Sequence, residues 1–125
     1  MPFYVSVISG LSVFCLAVLN EIPDYYQDIL VGKRNLVVRL GKQKAIVLLK
    51  LCLAGVFALL IFGTVLKRIP LLATAPVITV PWILKSVKSI EKNYDNPTAF
   101  LSSVNTIVVT HIVIILSLGI SFLKA

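Results

Sequence analysis

Long runs of apolar residues leave this chain few folds to choose from. MPFYVSVISGLSVFCLAVLN (1–20) carries no charged side chain. AIVLLKLCLAGVFALLIFGTVL (45–66) has one, Lys50, close enough to an end to reach the interface. AFLSSVNTIVVTHIVIILSLGISFL (99–123) has none. A helix crosses a bilayer with about 20 apolar residues at about 1.5 Å rise each, and each run meets that length. A fourth run, IPLLATAPVITVPWIL (69–84), is shorter and contains Pro70, Pro76 and Pro81. Proline frees backbone carbonyls, which lipid tolerates only where neighbouring groups satisfy them. The expectation there is a kinked helix surrounded by protein. The fold class is therefore all-α: a polytopic transmembrane helical bundle with four spans, forming one region over 1–125 with a motif loop at 20–44.

Composition agrees with that reading. Of the 125 residues, 58% are hydrophobic, against roughly 45–50% in soluble domains, and mean hydropathy is +1.00. The apolar residues stand in continuous blocks, where an amphipathic soluble helix would space them three or four apart. The net charge of +7 lies between the blocks, where membrane proteins carry their orientation signal. No nucleic-acid-binding motif accompanies it, so nucleic acid is not an expected partner, whereas membrane lipid is. The first block lacks a charged leader and a small-residue cleavage site, so it reads as a retained helix. Cys15 and Cys52 sit inside apolar blocks and read as small buried hydrophobes.

Lys33, Arg34, Arg39, Lys42, Lys44, Lys85, Lys88 and Lys92 follow the first and third spans, while Lys67, Arg68 and Lys124 fall on the other side. By the positive-inside rule the motif loop and an 85–98 loop face the cytoplasm, with the spans in the cell inner (cytoplasmic) membrane. Thr106, Thr110, Ser117 and Ser121 share a face of the last span. Ser6, Gly10, Val13 and Ala17 form a small-residue stripe on the first. Both patterns favour close helix contact. His111 reads as an interhelical hydrogen-bond partner rather than a relay or ligand.

The polar string NEIPDYYQDILVGKRNLVVRLGK (20–42) interrupts this apolar background. It holds three of the five acidic residues, Glu21, Asp24 and Asp28, followed by Lys33, Arg34, Arg39 and Lys42. Residues four apart on a helical turn project from one face, with Cβ atoms about 5–6 Å apart. Asp24 and Asp28 have that spacing, Glu21 falls near the same face, Pro23 suits the opening of the turn and Gly32 its end. Carboxylates that close repel unless a cation lies between them. Mg²⁺ suits the place, since it binds through one or two carboxylates, waters and substrate phosphate oxygens. Lys33 and Arg34 follow where they could share the charge of a polyanion.

The string Asn20, Pro23, Asp24, Asp28, Gly32, Lys33, Arg34, Leu36, Arg39, Leu40, Gly41 resembles the second aspartate-rich motif of the UbiA superfamily of intramembrane aromatic prenyltransferases. It is most similar to the branch acting on 1,4-dihydroxy-2-naphthoate in menaquinone biosynthesis. Asn35 stands where that branch commonly has threonine. The resemblance implies that Asp24 and Asp28 are catalytic and hold Mg²⁺ against the diphosphate of a polyprenyl donor. It also implies that Lys33 and Arg34 contact the diphosphate, that Asn20 and Arg39 assist or brace the loop, and that an aromatic acceptor takes the prenyl group.

The same family resembles a nine-helix bundle with aspartate-rich motifs on two facing halves. By layout this chain corresponds to the last four helices. Glu91 and Asp95 are four apart, but their surroundings do not resemble the other motif and read as a solvated loop. The expectation is a C-terminal portion, inactive alone, whose partner is an N-terminal half carrying the first motif. The alternative is a small non-catalytic four-helix membrane protein, a transport or assembly subunit. Proton-coupled exporters need a carboxylate within a span, and none lies within the spans as drawn.

Overall fold

A computed structural model describes residues 2–123. Met1, at the start of the first expected span, and Lys124, among the opposite-side cations, lie outside the described residues. The elements are α1 (Pro2–Glu21), α2 (Tyr25–Leu30), α3 (Leu36–Leu40), α4 (Lys42–Val65), a 3₁₀ segment (Leu71–Thr79), α5 (Val80–Asn93) and α6 (Pro97–Leu123). No strand occurs among the described residues. Four helices are long and apolar enough to cross a membrane: Phe3–Glu21, Lys42–Val65, Leu71–Asn93 and Thr98–Leu123. At 20, 24 and 27 residues, α1, α4 and α6 are about 30, 36 and 40 Å long.

Two apolar clusters hold the bundle together. The one nearer the motif joins Leu19 and Ile22 to Val37, Leu49, Ile90, Phe100 and Ile107. The other joins Ile8, Val56, Leu60, Ile69, Ile114 and Leu118. The outer surface remains apolar, with Phe3, Leu51, Phe62, Leu101 and Leu116 all exposed. That is costly in water and suited to lipid contact.

The third passage differs from expectation in two ways. Its first part is 3₁₀ rather than a kinked α-helix: Pro76 cannot donate the α-type hydrogen bond and its ring crowds the carbonyl four residues back. Ala73 and Pro76 pack inward, but Leu71 and Ile78 are exposed, so protein covers one side only. Its second part continues well past residue 84. The expected 85–98 loop is helical to Asn93, and only 94–96 form the turn. Lys85 and Lys88 end the apolar run, yet Ile83, Val87 and Ile90 continue at helical spacing and are buried. That stripe holds the amphipathic helix.

Buried polar side chains within the spans are satisfied locally or across the bundle. Ser12 Oγ lies 2.6 Å from His111 Nδ1, tying α1 to α6. Thr110, Ser117 and Ser121 are buried, but their hydroxyls donate to carbonyls of their own helix, Thr106, Ile114 and Leu118, at 2.8–2.9 Å. The α1 stripe does not make the close contact expected of it. Ser6, Gly10, Val13 and Ala17 are all exposed. Ile8, Ser12, Cys15 and Leu19 face inward instead, because they include the larger apolar groups that fill the core.

Candidate functional site: an acidic turn closed by a lysine

The expected motif loop is two short helices held between α1 and α4. Ile22 and Val37 are fully buried and pin the segment to the bundle on either side. Asp24 stands at the N-cap of α2, its carbonyl accepting from Asp28 N at 2.8 Å. The two aspartates are therefore one helical turn apart. Pro23 lies just before the cap, in the turn, rather than in the first helical position.

Gly32 ends α2 with φ 74°. Lys33 N donates to Asp28 O at 2.8 Å and Gly32 N to Ile29 O at 3.1 Å. Those paired bonds form a Schellman closure, for which a left-handed glycine is the favoured residue. The reversal sends Lys33 back over the acidic turn, its Nζ 3.0 Å from Asp28 Oδ1. Asp28 Oδ2 accepts from Asn35 Nδ2 at 2.6 Å, and Asn35 Oδ1 accepts from Val38 N at 2.8 Å as the cap of α3. Asn35 thus uses both ends of its amide, one to orient Asp28 and one to start the next helix.

The electrostatics centre on Lys33. Its bond to Asp28, with further attraction from Asp28, Asp24 and Glu21, holds the ammonium above the usual lysine value. Three carboxylates therefore act on one cation. Asp28 is largely buried, whereas Lys33 is mostly exposed. The carboxylate is fixed and its counter-ion is free to leave. No group of three or more His, Cys, Asp or Glu side chains among the described residues could hold a metal by itself. Asp24 and Asp28 are of the donor type that Mg²⁺ takes, with water and phosphate oxygens completing its shell, but Asp28 is open to a metal only when Lys33 leaves its Oδ1.

No family model, curated protein or solved structure matches this chain. The geometry of the site stands by itself.

Of the residues singled out in the sequence, Asp24, Asp28 and Lys33 come together, with Glu21 beside them. Arg39 Nε donates to the Arg34 carbonyl at 3.1 Å, which braces the link into α3. Arg34 is exposed, its side chain unbonded to any described residue. Asn20 is exposed in the last turn of α1, and its side chain makes no hydrogen bond among the described residues.

Two roles were not legible in the sequence. The double bond of Asn35, to Asp28 and to Val38, is one. The other is that of Lys42, which is 8% exposed and lies 2.8 Å from Asp95 Oδ1. Its Nζ sits 4.3 Å from the Tyr26 ring centroid, 5.7 Å from that of Tyr25 and 5.6 Å from that of Tyr94. This cation–π box ties α2 and the start of α4 to the turn between α5 and α6. The Tyr25–Tyr26 doublet was the available signal, but nothing local points to a partner more than fifty residues away.

Proposed function

We propose that this chain supplies the diphosphate-gripping part of an intramembrane prenyltransferase of the UbiA type. The reaction is transfer of a polyprenyl group from its diphosphate to an aromatic acceptor. By resemblance that acceptor is 1,4-dihydroxy-2-naphthoate, in menaquinone biosynthesis. The observation that carries the reading is the acidic turn itself, where Asp24 and Asp28 stand one turn apart beside Glu21, with a displaceable ammonium held against Asp28.

In this reading Asp24 and Asp28 are the Mg²⁺ ligands. Lys33 occupies the cation position until the diphosphate arrives, then turns to it. Arg34, already exposed, adds a second positive group, while Asn35 holds Asp28 in place and Arg39 braces the loop. Asn20 borders the site from the end of α1. Bound Mg²⁺ would supply charge stabilisation for the leaving diphosphate. Lys33 and Arg34 supply the same from the protein as the allylic C–O bond ionises. The exposed apolar faces of the spans suit a long prenyl chain. A second acidic motif, outside these residues, completes the clamp from a facing half. The motif end faces the cytoplasm, because Lys and Arg concentrate there.

A second reading, a small non-catalytic membrane protein, is supported by Asp28, whose two oxygens are already satisfied by Lys33 and Asn35. Activity separates the two. The chain is reconstituted with a facing half that carries the first motif, and Mg²⁺-dependent prenyl transfer is measured. Asp24→Ala and Asp28→Ala should each lower the rate by at least a hundredfold. Full activity in both variants contradicts the assignment.

A further inference from the structure

Away from the motif, α4 and α5 leave a groove of about 400 Å³ between them. Ala54 and Phe57 of α4 face Ile83 and Leu84 of α5 along its apolar length. Lys50, Lys88 and Glu91 stand at one end. The helices run antiparallel, so this charged mouth lies toward the motif end of the bundle. From Glu91 down to Val80, the lining of α5 covers about 16 Å at 1.5 Å per residue.

The mouth is not electrically balanced. Lys50 pairs with Glu91, whereas Lys88 makes no ion pair among the described residues. Lys85 and Lys92 on the same helix are exposed as well. Lys88 stands about 8 Å from the Asn93 end of the third passage, so the groove has an excess positive charge near the membrane surface and an apolar slot beneath it. Basic pockets between transmembrane helices take acidic lipid headgroups in this way. A transmembrane helix is a poorer occupant, because close helix approach needs small residues, and Phe57 and Leu84 line the slot. No lining residue belongs to 20–42, so the groove is separate from the acidic turn.

We propose that this groove binds one anionic phospholipid, its phosphate at Lys88 and one acyl chain along the α4–α5 slot. The site is independent of the prenyl-transfer reading. The test is native mass spectrometry of the full chain in detergent, titrated with phosphatidylglycerol or phosphatidylcholine of matched chains. One equivalent of phosphatidylglycerol should be retained, at least tenfold in preference to phosphatidylcholine. Lys88→Gln should reduce that preference fivefold or more, and Ala54→Trp, which fills the slot, should abolish retention. Lys85→Gln should leave retention unchanged. Far-UV circular dichroism checks folding, and if Ala54→Trp does not fold, Lys88→Gln and Ala54→Leu decide. Equal retention of the two lipids, or wild-type preference in Lys88→Gln, overturns the proposal. So does one-for-one displacement of phosphatidylglycerol by farnesyl diphosphate, which would assign the groove to the donor. A homodimer that excludes lipid and is broken by Ala54→Trp would assign it to a second copy.

Discussion

Asp24 and Asp28 look equivalent as letters and differ as groups. Asp28 is buried and bonded at both oxygens; Asp24 is exposed and its carboxylate accepts no bond among the described residues. Asp28→Asn should therefore loosen residues 28–38, costing about 1–2 kcal/mol, because the bond from Asn35 to a carboxylate is charge-assisted while exposed Lys33 adds little. Asp24→Asn should leave that segment as ordered as before. Amide hydrogen exchange across 28–38 distinguishes them. The pH dependence follows from Lys33, whose folded value lies above its ordinary 10.5. A raised lysine value means the stabilisation is complete below the unfolded value and is lost as pH rises through the folded one. The Lys33–Asp28 contact should persist across the neutral range and open only as pH rises past the ordinary lysine value of 10.5, which Lys33 side-chain NMR can follow. The spacing of the two aspartates was legible in the sequence. The division between a fixed and a free carboxylate was not, because it depends on Asn35 reaching back across the glycine turn.

At the level of elements, the order of the motif depends on the junctions between short helices that could not stand alone. Helices of six and five residues are far below the length that is stable in water. Gly41, between α3 and α4, has φ 81° and ψ 155°, a conformation essentially confined to glycine. Gly41→Ala should cost about 1–3 kcal/mol and tilt α3 away from the start of α4, seen as lost exchange protection at Ala45. The Lys42 box fixes the same junction from the far side. Lys42→Gln keeps the chain length but removes the cation from three tyrosines, and should lower thermal stability by about 1–2 kcal/mol. Tyrosine fluorescence during melting reads that change. Hydropathy located α1, α4 and α6 because their apolar runs are long and carry at most one charge, Lys50. It stopped α5 at Leu84, since lysines dilute the average while the buried Ile83–Val87–Ile90 stripe continues.

Across the whole molecule, four apolar passages gather the acidic turn, Lys42 and the α5–α6 turn at one end. That arrangement suits a charged substrate head held at the membrane surface with an apolar tail beside the helices. The bundle could be read from the sequence because long apolar runs allow little else in a bilayer. The outward-facing small-residue stripe of α1 could not, since spacing alone does not say which side of a helix meets its neighbours. The central claim, that the acidic turn grips a metal-bound diphosphate, is tested most directly by isothermal titration calorimetry. Farnesyl diphosphate is titrated into the full chain in nanodiscs, with and without Mg²⁺. Binding should require Mg²⁺, weaken at least tenfold in Asp24→Asn, and weaken by a smaller factor in Lys33→Gln. Binding that is independent of Mg²⁺ and unchanged in Asp24→Asn would contradict it.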